Sequence, residues 1–386
     1  MTKENIMKIA IVHELLTKIG GAEKVLLALH KIYPDAPIYT LLYDENGTKG
    51  QFSDCKIISS SLKKYPSFLR RKTKLFLPKL AQAIEEFDFS EFDVVISISS
   101  AYSHGILTKP STFHICYCNS PMRYAWDWYH EYMKENKIGF GLKGLYIRNL
   151  LHKIRIWDKI ASERVDFWIS NSCTVESRVK KYYQKDSTVI CPPVEVSSIE
   201  MSENVPDDYY VIVSRLEPYK NIGLAIEAFN QNEKELVIIG TGSDENNLKE
   251  KANKNIEFLG WQSDKSVHEY MKNAKAFIFP GEEDFGITPV ESMACGRPVI
   301  ALKRGGTLET IVDGKTGLFF EEETPIALNS AIEKLEKDYI SFTPANCRKQ
   351  AEKFSVENFE KEIVNIVNNE SKKYFKSMDQ QEESIN

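Results

Sequence analysis

Gly281-Glu-Glu-Asp-Phe-Gly-Ile-Thr-Pro-Val-Glu-Ser-Met-Ala-Cys-Gly-Arg-Pro-Val-Ile300 is the stretch from which the fold is read. The apolar run Ala276–Phe279 feeds it, and Pro280 ends that strand. Glu283 falls in the loop that follows. Asp284 to Ile287 lead into a short helix with Pro289 in its first turn, where a missing N–H costs nothing. Glu291 is about one turn inside, and Gly296 and Pro298 close the helix before the next strand. The N–H groups of Phe285, Gly286 and Ile287 are therefore expected at a helix start, where the dipole is positive. Glu283 and Glu291 flank them, and carboxylates accept hydrogen bonds from sugar hydroxyls. Such a loop suits a sugar joined through phosphates to a ribose. An ordinary strand–loop–helix with two solvated acids would share so short a pattern.

The chain around it has 386 residues, too many for a typical single core, so two domains are expected. A net charge of −5 does not suggest a nucleic-acid partner. No stretch approaches the roughly 20 apolar residues of a membrane span. Residues 1–8 are polar and lack the apolar centre of a signal peptide, so a cytoplasmic location is expected. Seven cysteines include no Cys-x-x-Cys pair. Cys116 and Cys118 alternate within an apolar strand, which favours buried reduced thiols over a metal site. No aspartate-rich cluster is present to hold a metal.

Upstream, residues 8–13 read as a strand, residues 14–19 as a loop, and Gly20-Gly-Ala-Glu-Lys-Val-Leu-Leu-Ala-Leu29 as a helix start. Strand, glycine pair and helix open a doubly wound α/β domain, whose ligands bind at the carboxyl ends of its strands. Gly20 and Gly21 would let phosphate oxygens reach the backbone, or would serve helix packing only. The dinucleotide fingerprint is incomplete, which disfavours a nicotinamide enzyme. Further strands are expected at 37–43, 93–98, 113–118, 166–170 and 188–191, alternating with helices, as in a parallel sheet covered on both faces. The segments that leave these strands, Ser99 to Gly105 and Asn119 to Asp127, are candidate site walls. In them His104, Asn119, Arg123, Tyr124 and Asp127 could bond sugar hydroxyls, and Trp126 and the adjoining Trp128 could stack on a sugar ring.

Two segments of this half are basic and apolar together. Residues 61–80 carry Lys63, Lys64, Arg70, Arg71, Lys72, Lys74 and Lys79 among Tyr65, Phe68, Leu69, Leu75, Phe76 and Leu77. Residues 148–159 repeat the theme with Leu150, Leu151, Ile154, Ile156 and Trp157. Such a mixture suits an anionic membrane surface or a lipid-phosphate substrate; a solvated basic face over packed apolar residues would look the same.

Residues 197–208 read as an interdomain linker. A second α/β unit then opens with Tyr209 to Ser214. Arg215 and Lys220 follow that strand's carboxyl end, placed to neutralise a diphosphate or forming a surface basic pair. Strands at 236–239, 256–259, 276–279, 298–302 and 318–320 continue the alternation.

The motifs Val213-Ser-Arg-Leu-Glu-Pro-Tyr-Lys-Asn221, Val237-Ile-Ile-Gly-Thr-Gly242, Phe258-Leu-Gly-Trp261, Glu283-x7-Glu291, Glu291-Ser-Met-Ala-Cys-Gly-Arg-Pro-Val299 and Gly314-Lys-Thr-Gly-Leu318 occur in this order. Together they closely resemble the retaining nucleotide-sugar glycosyltransferases of family 4. Gly20-Gly-Ala-Glu23 and Asn119-Ser-Pro-Met-Arg-Tyr-Ala-Trp126 resemble the bacterial polysaccharide mannosyltransferases of that family. The resemblance implies the GT-B fold, two Rossmann-like doubly wound parallel-sheet domains facing across a cleft. An acceptor-binding domain would span residues 1–198 and be rejoined by a helix at about 346–367. A nucleotide-sugar domain would span 208–340, and 368–386 would form a disordered tail.

Roles follow from the same resemblance. Arg215 and Lys220 would hold the donor diphosphate, Glu291 the ribose, and Glu283 the sugar hydroxyls. Phe285, Gly286 and Ile287 would offer backbone N–H groups beside the sugar and phosphates. Phe258 and Leu259 would touch the base, Gly20 and Gly21 would close on the phosphates, and His104 would assist near the sugar. The implied reaction is transfer of a hexose, mannose from GDP-mannose first among donors, with retention at the anomeric carbon. The acceptor would be a lipid-linked or growing glycan of a bacterial surface polysaccharide such as lipopolysaccharide. No cofactor or metal is required when Arg, Lys and N–H groups neutralise the leaving diphosphate. A UDP-sugar donor, a sugar-nucleotide epimerase of the same fold, and a catalytically silent subunit are the alternatives. The intact Arg215, Lys220, Glu283 and Glu291 set argues against the last. The basic–aromatic segments predict peripheral attachment to the inner face of the cytoplasmic membrane.

Overall fold

The structure, a computed structural model, describes residues 7–70 and 76–385. Arg71, Lys72, Lys74 and Leu75 of the first basic segment, and most of the polar N-terminal stretch, lie outside the described residues. The chain forms two compact units, one running through Cys191 and resuming at Glu360, the other Pro192–Phe359.

The first unit holds seven parallel strands: β1 (Ile9–Leu16), β2 (Ile38–Tyr43), β3 (Ile57–Ser59), β4 (Val94–Ser99), β5 (Phe113–Cys118), β6 (Phe167–Ser170) and β7 (Thr188–Val189). Their order is β3-β2-β1-β4-β5-β6-β7. The central strands β4 and β5 are buried along their whole length, as expected of a sheet covered on both faces. The order reverses between β1 and β4, so the carboxyl ends of those two strands flank the crevice at which such sheets bind ligands. β1 is longer than its sequence suggests. Leu15 and Leu16 pair with Leu42 and Tyr43 of β2, so residues expected in a loop extend the ladder. β3 has only three residues, between polar neighbours, and gave no periodic signal.

The second unit holds six parallel strands: β8 (Tyr209–Val213), β9 (Glu235–Ile239), β10 (Ile256–Gly260), β11 (Ala276–Phe279), β12 (Val299–Leu302) and β13 (Gly317–Phe320). Their order, β10-β9-β8-β11-β12-β13, reverses between β8 and β11. One face of this sheet packs Tyr210, Ile212, Ile238, Ile278 and Ile300 against the Ile222–Asn232 and Pro325–Lys337 helices, whose Ala225, Phe229, Leu328 and Ile332 complete a buried cluster. With both sheets parallel, Rossmann-like and covered by helices, the chain has the GT-B architecture.

The structure departs from the expected boundaries at three places. The one helix expected at about 346–367 is two, Pro344–Ala351 and Val356–Ile385, broken at Ser355, whose backbone is extended. The segment read as a linker packs onto the second unit, because arginines take its carbonyls: Arg348 Nη1 donates to the carbonyl of Ile199 (2.7 Å) and Arg297 Nη2 to that of Asn204 (3.0 Å). The tail expected to be disordered from residue 368 is instead part of one helix, Val356–Ile385. Ile363, Val367 and Ser371 are buried at four-residue spacing, and Tyr374 reaches the first unit, its hydroxyl on the Pro110 carbonyl (2.7 Å) and its ring 4.8 Å from that of Phe113.

Candidate functional site

In the second unit, three loops meet at the carboxyl ends of β8, β11 and β12. The first carries Arg215 and Lys220, the second Glu283, and the third Gly305 and Gly306. They approach backbone to backbone. A Cβ on Gly281 would lie 2.7 Å from the Lys220 carbonyl oxygen, and one on Gly306 would lie 2.3 Å from the Phe285 Cα. Only glycine fits where main chains come this close. The Gly306 N–H then donates to the Glu283 carbonyl (2.9 Å), fixing the loop that bears the carboxylate.

The side chains meet as well. Lys220 Nζ and Glu283 Oε1 form an ion pair, with the lysine side chain 11% and the glutamate side chain 28% exposed. Arg215 is exposed and donates from Nη2 to the Tyr219 hydroxyl (2.6 Å), while Lys220 sits 5.1 Å from the same ring. Gly286 is the N-cap of the Ile287–Ala294 helix. Among the described residues, no carbonyl takes the N–H groups of Phe285 or Gly286 in a turn or loop contact. The side chain of Phe285 is buried, edge-on to Phe354 at 5.5 Å, so it anchors the loop. Glu291 lies one turn into the helix and is largely buried. Phe258 and Leu259 are half-buried on β10, an edge strand two places from β8. Two cations, a carboxylate and helix-start donors thus converge at the switch point of one sheet, a set that can neutralise a phosphate and accept from hydroxyls.

In the first unit a carboxylate beside the corresponding strand ends is taken up by the chain's own backbone. Glu14, near the end of β1, accepts N–H groups from Ser100 (2.9 Å), Ala101, Tyr102 (2.5 Å) and Ser103 (3.4 Å), the turn that follows β4. Burial pushes its pKa above the ordinary carboxylate value while the N–H groups pull it back. By sequence Glu14 falls in a loop, whereas it lies within β1, with His13 before it and Leu15 and Leu16 after it. Gly20 is the N-cap of the Gly21–Ile32 helix, and Gly21 begins it. Beside them His13 Nε2 lies 3.6 Å from Glu23 Oε1, and burial lowers the His13 pKa to about 4 and raises that of Glu23.

His104 is not where a sugar would meet it within this unit. It is 1% exposed and walled by the rings of Trp157, Trp168 and Tyr183. Its Nδ1 pairs with Ser99 Oγ (3.0 Å), and its Nε2 lies 3.3 Å from Asp158 Oδ1. Asp158, fully buried, also accepts from Trp126 Nε1 (2.7 Å) and the Tyr183 hydroxyl (3.0 Å). The expected catalytic histidine is therefore one corner of a buried polar network, enclosed because the aromatic residues of three separate elements pack around it. Asn119, at the carboxyl end of β5, keeps a buried Nδ2 without a partner.

Residues 197–354 match the model of the family glycosyl transferases group 1, a match confined to the second unit. Among individual proteins, the chain is 28% identical over 215 residues to alpha-1,3/1,6-mannosyltransferase ALG2 of Dictyostelium discoideum, covering 45% of this chain and 49% of that one. It is 26% identical over 381 residues to the alg2 protein of Schizosaccharomyces pombe, covering 82% and 71%. The chain spans about half the length of several of the curated relatives it matches. HepE of Anabaena, solved in complex with UDP, superposes with a TM-score of 0.67 at 17% identity over 94% of this chain and 100% of that one, a likeness of fold.

Proposed function

We propose that the protein is a glycosyltransferase that takes a hexose from a nucleoside diphosphate sugar. Mannose from GDP-mannose is the first candidate, given the mannosyltransferases among its relatives, and a UDP-sugar is the second, given the UDP bound to HepE. Transfer proceeds with retention and without a metal, onto a lipid-linked or growing glycan of a bacterial surface polysaccharide. The observation that carries this proposal is the Lys220–Glu283 pair set against the N–H groups of Phe285, Gly286 and Ile287 at the switch point of the second sheet. Lys220 and Arg215 would take the diphosphate and stabilise it as it leaves, and Glu283 would hold the sugar hydroxyls. Glu291 would hold the ribose, with Phe258 and Leu259 against the base. Attachment to an anionic membrane face is supported by Phe140, Leu142, Leu145 and Tyr146, exposed beside Lys143 and Arg148. No helix among the described residues is long and apolar enough to cross a membrane.

The test is a panel of nucleotide sugars incubated with purified protein, followed by hydrolysis, transfer to glycan acceptors and the anomeric configuration of the product by NMR. Turnover of one donor that is lost in Lys220→Met is expected. Failure of every donor to react with folded protein would end the proposal.

A further inference from the structure

The first unit contains a pocket of about 410 Å³ that holds none of the residues assigned to the donor. One wall is the Leu142–Ala161 helix, where Arg148, His152 and Arg155 follow one another at spacings of four and three residues and so share a face. That face flanks the buried one formed by Leu151, Ile154 and Asp158. The opposite wall is aromatic. Trp126 stacks on Tyr182 at 4.9 Å and an interplanar angle of 17°. Tyr182 belongs to the π-helical turn Val179–Tyr183, a geometry that recurs at functional sites.

The charges are unequal. Among the described residues neither Arg148 nor Arg155 has a carboxylate within ion-pair distance. Arg155 Nε donates to the Ala125 carbonyl (2.6 Å), and its guanidinium lies 5.1 Å from the Tyr129 ring and 5.8 Å from that of Trp126. Arg148 Nη1 donates to the Gly139 carbonyl (2.9 Å). The pocket's one acid, Asp127, is held by Arg178 (3.1 Å) and Arg123 (3.6 Å). Two guanidinium groups two helical turns apart, steadied by carbonyls, therefore face a pocket whose negative charge is already matched. Arginine forks of this kind take phosphate oxygens in pairs, and the aromatic wall suits the apolar face of a sugar ring.

We infer that this pocket binds a sugar phosphate, with the phosphate between Arg148 and Arg155 and the ring against Tyr182. The inference stands on the pocket alone and does not depend on the donor site. The sugar phosphate is either soluble or the headgroup of a glycolipid, and two probes separate these sources: glucose 1-phosphate in solution, and phosphatidylcholine vesicles carrying a polyprenyl glucosyl phosphate. Titration calorimetry and vesicle sedimentation of the full chain should show saturable binding of at least one probe. Arg148→Gln and Arg155→Lys should each weaken it tenfold or more, with circular dichroism and melting confirming that both variants are folded. Glucose without phosphate should not bind. As a measurement needing no variant, saturation transfer from aromatic protons to the sugar protons should appear in the wild-type protein. Binding of the soluble probe marks a soluble ligand, and binding confined to vesicles marks a lipid-borne one; either upholds the site. Equal affinity in wild type and both variants, or no saturable binding of either probe, would overturn it.

Discussion

Glu283→Gln should do two opposite things to ligand binding. In the free protein Glu283 neutralises Lys220, so an incoming diphosphate must share or displace that lysine and tolerate a nearby carboxylate. At about 6 Å and an effective dielectric of about 20, one such repulsion amounts to roughly 3 kcal/mol. Partial exposure of Glu283 and salt reduce it to about 1–2 kcal/mol. Removing the charge should therefore tighten a bare nucleoside diphosphate by roughly 5–30-fold. The same substitution removes the charge-assisted hydrogen bonds from sugar hydroxyls to the carboxylate, worth about 1.5–3 kcal/mol. The preference for sugar nucleotide over bare nucleotide should thus fall by roughly 10–150-fold. Calorimetric titration of GDP, UDP and their sugars into wild type, Glu283→Gln and Lys220→Met measures both. Lys220→Met should weaken the bare nucleotide at least about tenfold, since it leaves Glu283 facing the diphosphate unopposed. If Glu283→Gln binds the bare nucleotide no tighter than wild type, the two residues do not compete for one site and the assignment fails.

Asp158→Ala would strand the Trp126 and Tyr183 donors in the core and remove the neighbour of His104. A loss of about 3–5 kcal/mol is expected, read as a fall in the urea midpoint by tryptophan fluorescence; a change under about 1 kcal/mol would contradict the network. Gly306→Ala places a Cβ 2.3 Å from the Phe285 Cα, so the loops must part. At least about 2 kcal/mol should be lost along with nucleotide affinity, and a wild-type melting curve with wild-type affinity would show that the close approach is not needed. His13 and His114 are buried with pKa values lowered to about 4 and about 3. Their unfolded forms take protons that the folded forms refuse, so the stability they contribute is complete above about pH 6.5 and is lost as the pH falls towards 4 and 3. Urea midpoints across this range should flatten in a His13→Gln, His114→Asn double variant, and an unchanged slope would refute the assignment.

Much of the second unit was legible because its signals are local. Apolar runs ended by Ser214, Gly240, Pro280 and Lys303 give its strands, and the glycines at 281, 305 and 306 mark where main chains approach. Lys220 and Glu283 are 63 residues apart, yet each lies just past the end of a strand, so the sheet order alone brings them together. The first unit hid more. Glu14 looked like a loop residue because nothing in its neighbourhood shows that β2 lengthens the ladder. His104 looked like a loop histidine because the rings of Trp157, Trp168 and Tyr183 come from 53 to 79 residues further along the chain. The helix through Ile385 was missed because its surface is polar and its few buried residues have a partner only after folding.

The sequence by itself determined the alternation of strands and helices and, in the second unit, most strand ends, because backbone preference and apolar periodicity act over a few residues. It therefore also determined which residues stand at the carboxyl ends of parallel strands. Only the tertiary structure decided which of those residues are exposed, paired or enclosed. It set Lys220 against Glu283, bound Glu14 to the turn after β4, buried His104 on Asp158 and left Arg148 and Arg155, among the described residues, bonded to carbonyls. Burial and charge neutralisation depend on contacts between distant segments, and such contacts exist only once the sheets have assembled.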